Sequence, residues 1–353
     1  MSKYWNQLVK ELQPYVPGEQ PQNKKYIKLN TNENPYPPSP KVIEAIQQKA
    51  NEDLRLYPDP NCNELREKLA EYYQVQKEQI FVGNGSDEIL AFSFQTFFEP
   101  GRPILFPDIS YSFYKVYANL FRLQYTLVPL DEEFNMPIEP FKSKNGGIIF
   151  PNPNAPTGKG LSAQFIREIL DANPENVVIV DEAYVDFGAE SMIQYVNEYP
   201  NLLVIQTFSK SRSLAGLRVG YAIGHPDLIE GLQRVKNSFN SYTLDRLAIS
   251  GAVAALSDRS YYEEITNAII HTRNDVVDKL LSLGFSVTES RSNFVFISHP
   301  EVHASVLYAK LKEAGVLVRY FNQPRIDNFL RVTIGLENEM EVFLRALKNI
   351  LTK

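Results

Sequence analysis

Lys210 stands at the end of an apolar strand, closing Thr207-Phe208-Ser209-Lys210 directly after the run that starts at Leu202. A lysine so placed is partly desolvated, which favours the neutral amine and lets it attack a carbonyl carbon, the chemistry of a Schiff base. Thr207 and Ser209 flank it with hydroxyls, and Arg218 follows eight residues later with a fixed positive charge. Two hydroxyls and a guanidinium are what a phosphate monoester needs. Taken alone, these residues also fit a solvated loop lysine beside a surface arginine.

Three other segments share the form of a strand running into a loop of functional residue types. Gly83-Asn84-Gly85-Ser86-Asp87-Glu88 lies between Ile80-Phe81-Val82 and a helical pattern. Glycines permit a tight turn and the first helix amides point at an anion, so this is either a phosphate cradle or an ordinary turn with Ser86 as N-cap. Glu88 occupies the third glycine position of a dinucleotide fingerprint, which argues against a nicotinamide cofactor. Val177-Val178-Ile179-Val180 runs into Asp181-Glu182-Ala183-Tyr184. The Asp181 carboxylate could hold a cationic ring nitrogen, with the Tyr184 phenol beside it, or could simply cap a turn. Ile148-Ile149-Phe150 leads into Pro151-Asn152-Pro153-Asn154-Ala155-Pro156-Thr157-Gly158, a stiff turn able to aim an amide.

Positioning these loops requires a particular set of elements, and the hydrophobic period supplies them. Short apolar runs at 79–82, 103–106, 123–128, 147–150, 177–180, 202–207 and 218–223 alternate with helical patterns at 63–73, 87–98, 110–121 and 162–173. This predicts an α/β fold: a three-layer α/β/α large domain with a mostly parallel sheet, plus a smaller α+β domain. Gly85, Asn154, Asp181 and Lys210 would then each follow the carboxyl end of a different strand and open onto one sheet edge. Later come helical stretches at 242–256 and 260–283, strands at 293–298, 316–320 and 330–334, and a helix at 337–351. The expected organisation is an arm over residues 1–35, a large domain over 36–241 and a small domain over 242–353.

These motifs, from Leu29-Asn30-Thr31-Asn32-Glu33-Asn34-Pro35 to Leu330-Arg331-Val332-Thr333-Ile334-Gly335, resemble those of the fold type I pyridoxal-phosphate enzymes, class II aminotransferases of the histidinol-phosphate kind. The resemblance implies pyridoxal 5'-phosphate as cofactor and amino transfer between L-histidinol phosphate and 2-oxoglutarate, giving imidazole acetol phosphate and L-glutamate, a step of histidine biosynthesis. By it, Lys210 links to the cofactor and shuttles a proton, Asp181 pairs with the pyridinium nitrogen, Tyr184 bonds the ring's phenolic oxygen and Tyr111 stacks on the ring. Ser86, Asp87, Thr207, Ser209 and Arg218 would hold the phosphate, joined by Tyr57 from the neighbouring subunit of a homodimer. Arg331 would hold the substrate's anionic group, with Asn32 as a further substrate contact; by position alone, Tyr15 near the end of the arm and Asn240 and Tyr242 near the domain junction are further substrate-pocket candidates, since both segments can meet at the cleft. Where relatives place Asn before Pro-Thr-Gly, this chain has Ala155, so Asn154 is expected to take over that contact. An aromatic amino-acid aminotransferase and a threonine-phosphate decarboxylase on the same fold remain the alternatives.

Composition narrows the classes further. The 353 residues carry a net charge of -6 and are 44% hydrophobic and 22% charged, which excludes disorder and gives no electrostatic footprint for nucleic acid or an anionic membrane. An aminotransferase-like sensor of a DNA-binding regulator would also need a basic helix-turn-helix, which the arm does not supply. The single cysteine, Cys62, leaves no intramolecular disulfide, and with no apolar run long enough for a membrane span a cytoplasmic protein is expected. His299 and His303 flank Pro300 and are a poor metal motif, so no metal is expected. The aromatic clusters at 92–98 and 112–117 read as core.

Overall fold

The computed structural model describes residues 2–21 and 25–352; residues 22–24 of the expected arm lie outside the described residues. Seven strands form the central sheet, in the spatial order Ile80–Asn84, Val219–Gly224, Leu202–Thr207, Val178–Asp181, Ile148–Pro151, Ile104–Pro107 and Tyr125–Val128. Six run the same way, while Val219–Gly224 is antiparallel to both its neighbours. The sheet is thus mostly parallel and belongs to the α/β class.

Side-chain alternation explains why continuous apolar runs serve here. Phe81, Phe106, Ile149, Ile179, Ile205 and Ala222 pack on one face with helices Gly85–Phe97, Phe113–Leu120 and Pro226–Phe239. Their chain neighbours Ile80, Val82, Leu105, Ile148, Phe150, Val178 and Val204 pack on the other with Asn63–Tyr73, Ala163–Ala172 and Arg246–Leu256. Helix Ala163–Ala172 shows the local logic: Ser162 caps it by accepting from the Phe165 amide at 3.2 Å, and Ala163, Ile166, Ile169 and Leu170 bury one stripe. Each such Ile or Leu contributes roughly 1.5–3 kcal/mol by leaving water.

The smaller unit holds an antiparallel sheet in the order Arg319–Tyr320, Leu330–Thr333, Phe294–Ser298 and Ser286–Val287, covered by helices Ala304–Glu313 and Glu337–Leu351. Three segments differ from the expected division at residues 35 and 241. Ile27–Lys28 pairs in parallel with Val316–Leu317, and Leu29 is buried in the small unit's core, so this part of the arm is built into that unit. Helix Arg246–Leu256 packs against large-domain helices Pro40–Lys49 and Asn63–Tyr73. The long helix Arg259–Ser282 crosses between units, with Tyr262 and Ile265 in the large core and Ile269, Val276 and Leu280 in the small one. Periodicity reveals an apolar stripe but not which body covers it.

Candidate active site

A cleft of about 260 Å³ opens at the carboxyl edge of the large sheet and is closed on its far side by the small unit. Lys210, Asp181, Tyr184, Ser86, Asp87, Tyr111, Thr207, Ser209, Arg218, Arg331, Tyr15 and Asn32 all line it. The antiparallel strand Val219–Gly224 starts at this same edge, which is why Arg218, immediately before it, reaches the site.

Lys210 projects beside Tyr184, its Nζ 5.6 Å from the ring centre and 3.4 Å from the Thr31 carbonyl. Its backbone is tied down on two sides. Asn34 Nδ2 donates to the Lys210 and Ser211 carbonyls at 3.0 and 3.2 Å, and the Ser211 hydroxyl donates to Asp186. Next in the chain, the buried Arg212 guanidinium sits against the Tyr72 and Tyr262 rings at 5.0 and 4.6 Å.

Asp181 ends a fully buried strand. Burial pushes its carboxyl up to about 6, opposed by the Tyr114 hydroxyl donating at 2.8 Å and the Ala183 amide at 3.2 Å. Tyr114 lies in the aromatic stretch expected to be core. It is core, and it also orients Asp181, a role its helical spacing could not reveal.

The anion cradle forms where helix Gly85–Phe97 starts. That helix begins two residues earlier than expected, with Asn84 rather than Ser86 at the N-cap, and Asn84 makes no side-chain cap bond. Its first-turn amides therefore remain directed at the cleft. Gly85 has φ +75°, and a Cβ there would lie 2.5 Å from the Arg218 guanidinium. Arg218 Nη2 meets Asp87 Oδ2 at 3.2 Å and its Nη1 is 3.5 Å from Ser209 Oγ, while Thr207 Oγ1 donates to Ser209 Oγ at 3.0 Å. The Tyr111 hydroxyl donates to the other Asp87 oxygen at 2.8 Å, which sets its ring over the cleft. Burial raises the Tyr111 phenol well above its ordinary range, so it stays a donor.

Across the cleft, Arg331 is half-buried on strand Leu330–Thr333 between the Phe294 and Phe321 rings, 5.3 and 5.7 Å from its guanidinium. Its Nη2 donates to the Asn30 carbonyl at 3.2 Å and its Nε has no partner. No carboxylate pairs with it among the described residues, and burial lowers its pKa. Arg319 stands opposite it in the strand register and also lines the cleft; the strand expected at 316–320 contains it but splits in two, Val316–Leu317 pairing with Ile27–Lys28 and Arg319–Tyr320 with Leu330–Thr333, and sequence reasoning missed that pairing. Arg319 Nη2 donates to the Val16 carbonyl at 3.1 Å, so the two guanidiniums have backbone partners and no carboxylate, and such a pair can receive an anion.

Asn32 spends its side chain on protein groups: Nδ2 donates to the Tyr184 hydroxyl at 2.9 Å and Oδ1 accepts from Thr333 Oγ1 at 3.0 Å. It orients Tyr184 from the cleft wall. Tyr15 stacks on Phe113 with ring centres 4.5 Å apart. Asn154 departs from expectation. Its Nδ2 donates to the Ile109 carbonyl at 3.0 Å and to Thr157 Oγ1 at 2.9 Å, and it lines a separate cavity behind the loop, while Ala155 and Pro156 face the cleft. The turn aims the amide inward to satisfy backbone, so Tyr184 stands without it. Tyr57 and Tyr242 lie outside the cleft, stacked on each other with centres 4.6 Å apart, and Asn240 caps helix Pro226–Phe239 away from the site. His299 packs its ring on Phe285, and His303 caps helix Ala304–Glu313.

A lysine, an aspartate behind it, a glycine-turned helix start beside Arg218 and a guanidinium pair, on one edge of a mostly parallel sheet, narrow the comparison with known proteins. Residues 24–347 match the family model for aminotransferase class I and II. This chain belongs to the class I and II aminotransferase family. Within that family it is 60% identical over 352 residues to a histidinol-phosphate aminotransferase of Clostridium beijerinckii, covering 100% of this chain and 98% of that one. It is 58% identical to one of Clostridium acetobutylicum, covering 99% of each. The crystal structure of the Sinorhizobium meliloti histidinol-phosphate aminotransferase in complex with pyridoxal-5'-phosphate superposes with a TM-score of 0.90 at 24% identity, over 100% of this chain and 98% of that one. The aminotransferase fold thus extends over the whole described chain.

Proposed function

We propose that this aminotransferase exchanges an amino group between L-histidinol phosphate and 2-oxoglutarate, forming imidazole acetol phosphate and L-glutamate, with pyridoxal 5'-phosphate in the cleft. The observation that carries it is the pair Arg319 and Arg331, half-buried side by side on the cleft wall facing Lys210, with no carboxylate bonded to either among the described residues. Such a pair suits substrates with an anionic group remote from the amine: a phosphate ester in one half-reaction, a carboxylate in the other. The full-length identity of 60% to a histidinol-phosphate aminotransferase supports the same substrate.

The residues present fit the cofactor. Lys210 would hold it covalently, Asp181 would face its ring nitrogen, Tyr184 its phenolic oxygen, Tyr111 its ring face, and Ser86, Asp87, Thr207, Ser209 and Arg218 its phosphate. When bound, the cofactor supplies an electron sink for a carbanion at the substrate's Cα. Lys210 Nζ would take the proton from the substrate's Cα and return it two atoms further along, at the cofactor's C4′ carbon. Asp181 keeps its negative charge opposite a cationic nitrogen, and that cation lowers the carboxyl from its raised value. Arg331 fixes the anionic end of either substrate so that the Cα proton faces Lys210. Tyr57 is 77% exposed beside Tyr242, Leu54 and Leu56, which supports a homodimer in which Tyr57 reaches the partner's phosphate cradle.

Visible absorption tests the reading. Purified protein loaded with pyridoxal 5'-phosphate and given L-histidinol phosphate without acceptor should lose its long-wavelength band and gain a pyridoxamine-type band, while Lys210→Ala should neither show the starting band nor turn over. A loaded protein that responds to phenylalanine and not to histidinol phosphate would overturn the substrate.

A further inference from the structure

The loop between strands Arg319–Tyr320 and Leu330–Thr333 leaves the small unit and ends on the large one. Arg325, at its tip, donates from Nη1 to Asp108 Oδ2 at 2.9 Å and from Nη2 to the Leu130 and Asp131 carbonyls, both at 2.7 Å. It adopts φ +71°, in the left-handed region that costs a non-glycine residue free energy. The contacts it makes across the cleft hold it there.

Asp108 is not a passive surface carboxylate. It follows strand Ile104–Pro107, and its Oδ1 accepts from the Ile109 amide at 2.8 Å and the Leu130 amide at 3.0 Å. It therefore sets the turn that delivers Tyr111, whose hydroxyl bonds Asp87, whose other oxygen meets Arg218. One continuous set of bonds runs from Arg325 in the small unit to the anion cradle in the large one. The same loop carries Phe321, Gln323 and Ile326 onto the cleft wall beside Arg331. Beneath it, Phe134 of the large unit packs edge-on against Phe296 and Phe329, with centres 5.8 and 5.2 Å apart, an apolar seat that permits docking without fixing the loop's angle.

We propose that Arg325 is a positioning residue: through Asp108 it latches the substrate side of the cleft, loop 321–329, to the cofactor side, segment 109–111, so that each side is placed only while the other is. The proposal rests on the reading of the cleft given above. Because Arg325 is not among the residues lining the cleft and acts by shaping it, it acts equally on both half-reactions. The pair is partly exposed, 38% for Arg325 and 22% for Asp108, so salt weakens it.

The test uses the full-length protein and the variants Arg325→Gln, Asp108→Asn, their double, and Arg325→Lys. Hydrogen exchange without substrate should speed up in both segments 109–111 and 321–329 in Arg325→Gln, although only one contains the substitution. KM for L-histidinol phosphate and for 2-oxoglutarate should rise by the same factor, about 5- to 20-fold, with kcat within about threefold. The double variant should be no worse than the worse single, Arg325→Lys should recover part of the loss, and KM should depend on salt less steeply in Arg325→Gln than in the wild type. Faster exchange confined to 321–329, or a rise in KM for one substrate alone, would overturn the latch. A wild type that never turns over these substrates would instead refute the reading of the cleft, and the exchange data would still decide the latch.

Discussion

Asp181 carries a charge where water does not reach, and its stability cost has a sign. Its carboxyl sits at about 6 against an ordinary 3.8, with burial as the main cause. The folded state therefore binds the proton more tightly than the unfolded one, and the stability this lends is complete below about pH 3.8 and lost as pH rises to 6. The size is roughly 3 kcal/mol. Glu182, buried beside it and raised to about 7, acts in the same sense up to higher pH. We expect the melting temperature of the cofactor-free protein to fall between pH 4 and 7, and Asp181→Asn to flatten the lower half of that fall; an unchanged slope in the variant would remove Asp181 as a cause. Adding cofactor should reverse the penalty, because a cation then faces the carboxylate. Asp181 and Lys210 were legible in sequence as polar residues ending apolar runs. Tyr114, which orients Asp181, was not, because burial and hydrogen bonding leave the same spacing on a helix.

The site depends on how closely two elements approach. Strand Val219–Gly224 passes the first turn of helix Gly85–Phe97 so tightly that a Cβ on Gly220 would lie 2.5 Å from Gly85 C and Ser86 N. Backbone cannot yield as a side-chain tip can. Gly220→Ala should therefore cost about 1–3 kcal/mol in denaturant unfolding. By pushing the cradle amides away from Arg218, it should also weaken pyridoxal phosphate binding more than tenfold by titration. Gly216→Ala, where nothing lies within 4 Å, is the control and should leave cofactor affinity unchanged. The cradle loop was visible in sequence. The reversed direction of the strand beside it was not, since an apolar run reads the same for either direction.

At the scale of the molecule, Leu54, Leu56, Tyr57 and Tyr242 stand exposed on one stretch of surface, and Arg246 donates to the Leu56 and Tyr57 carbonyls at 3.2 and 2.9 Å. This patch holds Tyr57 outside its own cleft. Sedimentation equilibrium should give twice the 40.3 kDa chain mass. Tyr57→Phe should leave that mass unchanged while raising the cofactor dissociation constant severalfold, by the loss of one hydrogen bond to phosphate. A monomer with full cofactor affinity would refute the shared site.

What the sequence by itself determined were the properties carried by local order: the strands and helices, the lysine, aspartate and glycine loop at strand ends, and the resemblance that assigned them roles. Those follow from period and from residue type, which neighbours along the chain supply. The tertiary structure decided what depends on partners far apart in the chain. Asn154 turned to the Ile109 carbonyl and away from the cleft; Arg319 came to lie beside Arg331; Arg246–Leu256 packed on the large sheet's helices; Arg325 reached Asp108 from 217 residues away. Each is a choice between two burials or two hydrogen-bond partners of similar local cost, and only the assembled packing makes one of them lower in free energy.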